Sequence, residues 1–209
     1  AILIPEVPVD FDALYAHAKA RYTEKIANSD VKAGAYIIVV AEGLKNADGS
    51  ELVEESVGVD AFGHKRLAGA AKYVCDQLSK KFKADPSIKE FFKKHGLFVP
   101  GINEAPEVRS VTPGHLVRCG HSSPYDVNFG KECGAAAVLL LQKGITAVTV
   151  VGVNGNEVRY MTTADAIKQR HVDLAQVALY ESMGVCFGRK PEQYQPVFKK
   201  VEGKVERHL

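Results

Sequence analysis

Residues 35–41 read Ala-Tyr-Ile-Ile-Val-Val-Ala, an unbroken apolar run that closes on Glu42-Gly43. A run without polar alternation is the pattern of a strand covered on both faces, and such strands belong to parallel sheets flanked by helices. The neighbouring sequence supplies the helices. Residues 11–27 carry Leu14, Ala18, Tyr22 and Ile26 at helical spacing, with Asp10 in the N-cap position. A turn cluster, Asn46-Ala47-Asp48-Gly49-Ser50, leads to a second amphipathic helix over residues 66–82.

The same reading continues along the chain. Ile2-Leu3-Ile4 is a short strand stopped by Pro5. Residues 85–94 predict a strongly basic helix with the look of a surface addition; its Phe91-Phe92-Lys93-Lys94 stretch calls for one buried face. Residues 107–112 predict another short strand, broken by Pro113-Gly114-His115, and residues 125–143 an Ala-rich helix. Asn154-Gly155 between two β-rich runs, 147–153 and 157–161, predicts a type I′ hairpin, and residues 164–183 a final long helix. Cys75 and Cys186 fall on apolar helix faces and read as core. The fold class is α/β: a largely parallel, Rossmann-like sheet flanked by helices, with an antiparallel hairpin toward the C-terminal part.

Composition narrows the function classes. With 46% hydrophobic residues and only 9 prolines in 209, the chain is neither disordered nor of low complexity. Its 27 basic and 25 acidic residues leave a net charge of +2, which gives no broad attraction to nucleic acid or to a membrane surface. No apolar run approaches the roughly 18 residues of a membrane span. The four cysteines form no C-x-x-C pair and follow no signal-peptide pattern, which places the chain in the reducing cytoplasm. It opens inside a strand without an initiator Met, so it is expected to be part of a longer protein.

In open α/β sheets ligands gather beyond the carboxyl ends of the strands. That rule selects two places, Glu42-Gly43 and residues 109–126. A carboxylate at Glu42 suits a ligand hydroxyl, or equally a cap for the turn that follows. The longer segment sets Arg109, His115, Arg118 and His121 around Gly and Pro at a strand-to-helix junction. Arginine presents a fixed fork of donors to phosphate and a nearby histidine adds another, so the segment reads as an anion site, or else as a solvated surface loop. His115, Cys119, His121 and Cys133 also carry zinc-ligating atoms, but their spacing matches no common zinc framework. Gly63-His64-Lys65-Arg66-Leu67-Ala68-Gly69 lacks the ending of a P-loop.

These residues resemble the C-terminal half of the phosphofructokinases. Ile2-Leu3-Ile4-Pro5-Glu6 is similar to the family's I-x-[IV]-P-E strand, and residues 36–43 to its strand ending in Glu-Gly. Arg109, His115, Arg118, Gly120 and Pro124-Tyr125-Asp126 follow, without a gap, the segment R-x-T-x-L-G-H-x-Q-R-G-G-S-P-x-P-Y-D. Asp60, Phe62-Gly63-His64 and Arg66-Leu67 add a looser match. The departures are Pro113, Val117 and Cys119, and the lysines expected before the 35–41 strand are reduced to Lys32.

The resemblance implies a phosphotransferase of glycolysis that converts fructose 6-phosphate to fructose 1,6-bisphosphate, with pyrophosphate favoured over ATP as donor. It assigns Glu42 to the sugar and Arg109, His115 and Arg118 to its 6-phosphate, with Arg109 reaching into a neighbouring subunit in tetrameric bacterial members. Glu6 matches an effector-site residue. The whole of residues 1–209 is then a sugar-phosphate-binding part, with a surface insertion at 80–101 and a C-terminal extension at 184–209. Magnesium, the catalytic base and the donor loop are expected upstream, so the isolated chain is expected to be inactive. A dimer or tetramer of one chain is implied. The competing reading is a non-catalytic regulatory subunit or effector-binding module on the same fold.

Overall fold

The computed structural model describes residues 1–45, 50, 69–117, 119–200 and 202–203, and of His115 the backbone alone. The chain forms two compact units, Ala1–Thr112 with Val172–Leu209, and Pro113–His171.

The first unit is organised by a parallel pair of strands, β1 (Ile2–Leu3) and β2 (Val39–Val40), with Ile2 opposite Val39 and Leu3 opposite Val40. Val39 N–H donates to the Ala1 carbonyl at 2.9 Å and Ala41 N–H to that of Leu3 at 3.0 Å. On the other side of β1, Ile2 N–H donates to Cys186 C=O at 2.9 Å. Helix α1 (Phe11–Ala27) makes the crossover, and the Asp10 carboxylate caps it through Asp12 and Ala13 N–H. Helices α2 (Ala70–Ala84) and α3 (Pro86–Lys94) complete the unit's main core. Leu14, Ala18 and Ile26 of α1, Val74, Leu78 and Phe82 of α2, and Ile88 and Phe92 of α3 are buried there with Leu3 and Leu44. The spacing of three and four along each helix is what collects these side chains on one face.

Several expectations need correction. Regular pairing within residues 35–41 is confined to Val39–Val40, and that stretch is covered on one face in this unit rather than on both. Tyr36, Ile38 and Val40 pack inward, while Ile37 and Val39 are 78% and 60% exposed, because successive side chains on extended backbone alternate. The segment 107–112 joins no ladder and stays irregular. The basic helix at 85–94 is more than a surface addition: Ile88 and Phe92 enter the core, and Lys89 and Lys93 lie over the Phe98 ring at 5.1 and 5.2 Å. Cys75 is half-buried on α2, and Cys186 is buried on irregular backbone rather than on a helix.

The second unit contains α4 (Pro124–Gln142), the antiparallel strands β3 (Val148–Asn154) and β4 (Glu157–Thr162), and the short α5 (Thr163–Ala166). Asn154 pairs with Glu157, so the hairpin loop is Gly155-Asn156, one residue later than the Asn-Gly signal. Positive φ falls on Gly155 alone (+61°), the pattern of a type II′ turn rather than I′. The single helix expected over 164–183 is two. Lys168-Gln169-Arg170-His171 offers no apolar face, and Asp173 caps a new helix, α6 (Leu174–Ser182), back in the first unit.

Residues after α6 tie into the first unit. Phe187 packs with Val7 and Val177 in a second apolar cluster. The buried Glu181 carboxylate receives Arg189 through Nε at 2.8 Å and Nη2 at 3.1 Å, and Glu192 N–H at 3.2 Å. Within the segment expected as an extension, 184–209, Cys186 and Phe187 are buried. Among the described residues no helix is long and apolar enough to cross a membrane.

Asp85 locks three helices together. Its N–H closes α2 on Lys81 C=O, and one carboxylate oxygen caps α3 at Ser87 N–H. The other oxygen accepts from Tyr15 Oη and Lys19 Nζ of α1, both at 2.6 Å. Lys19 and Tyr15 hold this carboxyl well below the usual aspartate range. Its stabilising contribution is thus complete above the unfolded value of about 4 and declines as pH falls below it. Asp85→Ala should cost about 1–2 kcal/mol near neutral pH, and the gap to wild type in denaturant midpoint should narrow below about pH 4. Gly188 has φ +78°, and a Cβ there would sit 2.9 Å from Leu3 Cδ2. Gly188→Ala should lower stability by about 1–3 kcal/mol, measured by the same unfolding curves.

Candidate functional site

Because β1 and β2 run parallel, the turns that follow them lie at one end of the pair. After β1, Val7 N–H donates to Ile4 C=O at 3.2 Å and folds residues 4–7 around Pro5-Glu6. After β2, Leu44 N–H donates to Ala41 C=O at 3.2 Å and puts Glu42-Gly43 at the tip. The buried Leu44 anchors that turn in the core. The two turns touch: a Cβ on Gly43 would meet Pro5 Cγ at 3.3 Å. Glu42 is exposed at this carboxyl edge. Glu6 is half-buried, and its Oε1 accepts Val172 N–H at 3.1 Å, a tie between the β1 turn and the segment entering α6.

Arg109 follows Val108, whose side chain packs on the core and whose carbonyl takes the Cys75 thiol at 3.2 Å. Its guanidinium is engaged by Glu107, with Nε to Oε1 at 2.6 Å and Nη2 to Oε2 at 2.7 Å. Both side chains are largely exposed, at 76% and 67%. The two hydrogen bonds, with the paired charges behind them, raise the Arg109 guanidinium and lower the Glu107 carboxyl from their ordinary values. Glu107 is a residue the sequence reading missed. Its signal was the Glu-x-Arg spacing, which puts two side chains on one side of extended backbone.

His115 lies in a single 3₁₀ turn, Gly114–Val117, and Arg118 and the His115 side chain fall outside the described residues. So do Asp60, His64 and Arg66 of the looser motif. The boundary between the units passes between Thr112 and Pro113. Glu6, Glu42 and Arg109 thus belong to the first unit, and positions 115 and 118 to the second. The end of the motif has a structural task. Ser123 Oγ accepts Asp126 N–H at 3.2 Å and donates to Asp126 Oδ2 at 2.6 Å, with Pro124 in the first turn, so Ser123 is the N-cap that opens α4.

Among the described residues no three His, Cys, Asp or Glu side chains gather as metal ligands. Cys119 is exposed, its thiol donating to Leu116 C=O at 3.3 Å.

The Phosphofructokinase family profile matches residues 1–141, about two thirds of the chain. An ATP-dependent 6-phosphofructokinase of Chloroflexus aurantiacus is 31% identical over 193 residues, covering 90% of this chain and 43% of the relative. A pyrophosphate--fructose 6-phosphate 1-phosphotransferase of Streptomyces coelicolor is 26% identical over 187 residues, covering 90% and 45%. One of the same description from Dictyoglomus thermophilum is 29% identical over 189 residues, with the same coverage. The chain spans less than half the length of these curated relatives. No solved structure matches it.

Proposed function

The chain belongs to the phosphofructokinase family, and from that premise we propose that it is the acceptor-binding part of a cytoplasmic, oligomeric phosphotransferase acting on fructose 6-phosphate. The observation that carries the reading is the position of Glu42, exposed at the carboxyl edge of a parallel strand pair, where α/β sheets bind ligands. Glu42 accepts from a sugar hydroxyl. Arg109, His115 and Arg118 meet the 6-phosphate, since a guanidinium fork matches a phosphate's oxygens in pairs. Phosphoryl transfer depends on alignment and charge stabilisation, so fixing the acceptor hydroxyl is a direct contribution to rate. Donor positioning and the metal belong, in this reading, to residues outside these 209.

The Arg118-Cys119-Gly120 departure and the 80–101 segment favour pyrophosphate as donor, while relatives of both descriptions match. In the full-length protein, Arg118→Ala should raise the KM for fructose 6-phosphate by on the order of tenfold or more, with stability unchanged. An unaltered KM would remove Arg118 from the site. Assays with both donors in the presence of magnesium should give turnover with pyrophosphate; turnover with ATP alone would reverse the donor assignment. Residues 1–209 by themselves should form no fructose 1,6-bisphosphate with either donor, and robust product from this chain would place the chemistry among residues assigned here to binding or core.

A further inference from the structure

Arg109, the residue assigned above to the sugar's phosphate, already carries an anion of its own. Glu107 occupies its Nε and Nη2 edge in a two-bond, side-on pair at 2.6 and 2.7 Å. That is the geometry in which a guanidinium holds two oxygens of a phosphate. The same Glu-x-Arg spacing recurs at Glu157 and Arg159 on β4, where the two bonds lengthen to 3.1 and 3.4 Å. The closer pair lies on the irregular 107–112 segment, which no ladder holds.

We infer that Glu107 is an internal counter-anion that competes with substrate phosphate for Arg109 and so sets the affinity of the acceptor site. The inference rests on the assignment of Arg109 to the sugar phosphate. A phosphate arriving at Arg109 has two routes. It takes the Nε and Nη2 edge and expels Glu107, or it takes the remaining Nη1 side and stands beside a carboxylate of like charge. Both routes weaken binding. The pair is exposed, so solvent screens it and the competition is modest. If Glu107 engages Arg109 for about two thirds of the time, apparent affinity falls about threefold, because only the open fraction binds. Glu107 touches no reacting atom, so it acts as a positioning residue and its removal bears on ground-state binding alone.

The test uses the full-length protein at low ionic strength and four forms: wild type, Glu107→Gln, Arg109→Ala and the double variant. Glu107→Gln should lower the KM for fructose 6-phosphate about threefold, leaving kcat and the donor KM unchanged. The gain should vanish in the Arg109→Ala background. If Arg109→Ala raises the sugar-phosphate KM while Glu107→Gln leaves it unchanged or raises it, the competition is overturned and the site assignment stands. A gain from Glu107→Gln that persists without Arg109 also overturns it, since the carboxylate then acts on the site as a whole. If Arg109→Ala leaves that KM unchanged, the assignment of Arg109 and the inference fall together.

Discussion

The parallel pairing of Ile2-Leu3 with Val39-Val40 is the constraint on which the first unit depends. A parallel ladder cannot be closed by a tight turn, so it demands a crossover, and α1 is that crossover. The same parallel direction sends the Glu6 and Glu42 turns to one end, where Pro5 and Gly43 come into contact. Short as it is, the ladder is braced from outside. Cys186 C=O holds β1 on its far side, and the inward rows of both strands rest on the helix layer. The position of Glu42 at the carboxyl edge is thus a consequence of backbone pairing.

Legibility in the sequence followed the range of the interactions involved. Helices α1, α2, α3 and α4 were readable because their apolar spacing and caps are local; Asp10 and its helix are an example. The expected strand at 107–112 and the unbroken helix over 164–183 failed for a related reason. Propensity describes a segment alone, whereas a strand needs a partner edge and a helix needs a surface to cover. The Asn154-Gly155 signal found the hairpin but not its register, which the Asn154–Glu157 pair decides. Asp85 was invisible as a junction because Tyr15 and Lys19 lie far from it in sequence.

The candidate site divides along the same line. The carboxyl-edge rule pointed to Glu42, which stands exposed at that edge, while the anion site expected from the spacing of Arg109, His115 and Arg118 has only Arg109 with a described side chain. The partner of Arg109 went unread although it lies only two positions away, because a search for ligand-binding groups passes over the groups that already satisfy them. The Ser123 to Asp126 stretch carries the opposite lesson. Ser123 and Asp126, within the stretch that resembles the family motif, build a helix start, so a motif match there also has an architectural explanation.

The first unit is discontinuous, with Ala1–Thr112 completed by Val172–Leu209. That has a consequence for the order of events during synthesis. The Ile2 N–H must wait for the Cys186 carbonyl, and Val7 for Val177 and Phe187, so β1 leaves the ribosome long before the groups that brace it. At about 5–20 residues per second the delay is on the order of ten to forty seconds. Throughout it nascent β1 lacks its bond to Cys186, a period in which chaperone capture or pairing with another chain competes with native closure.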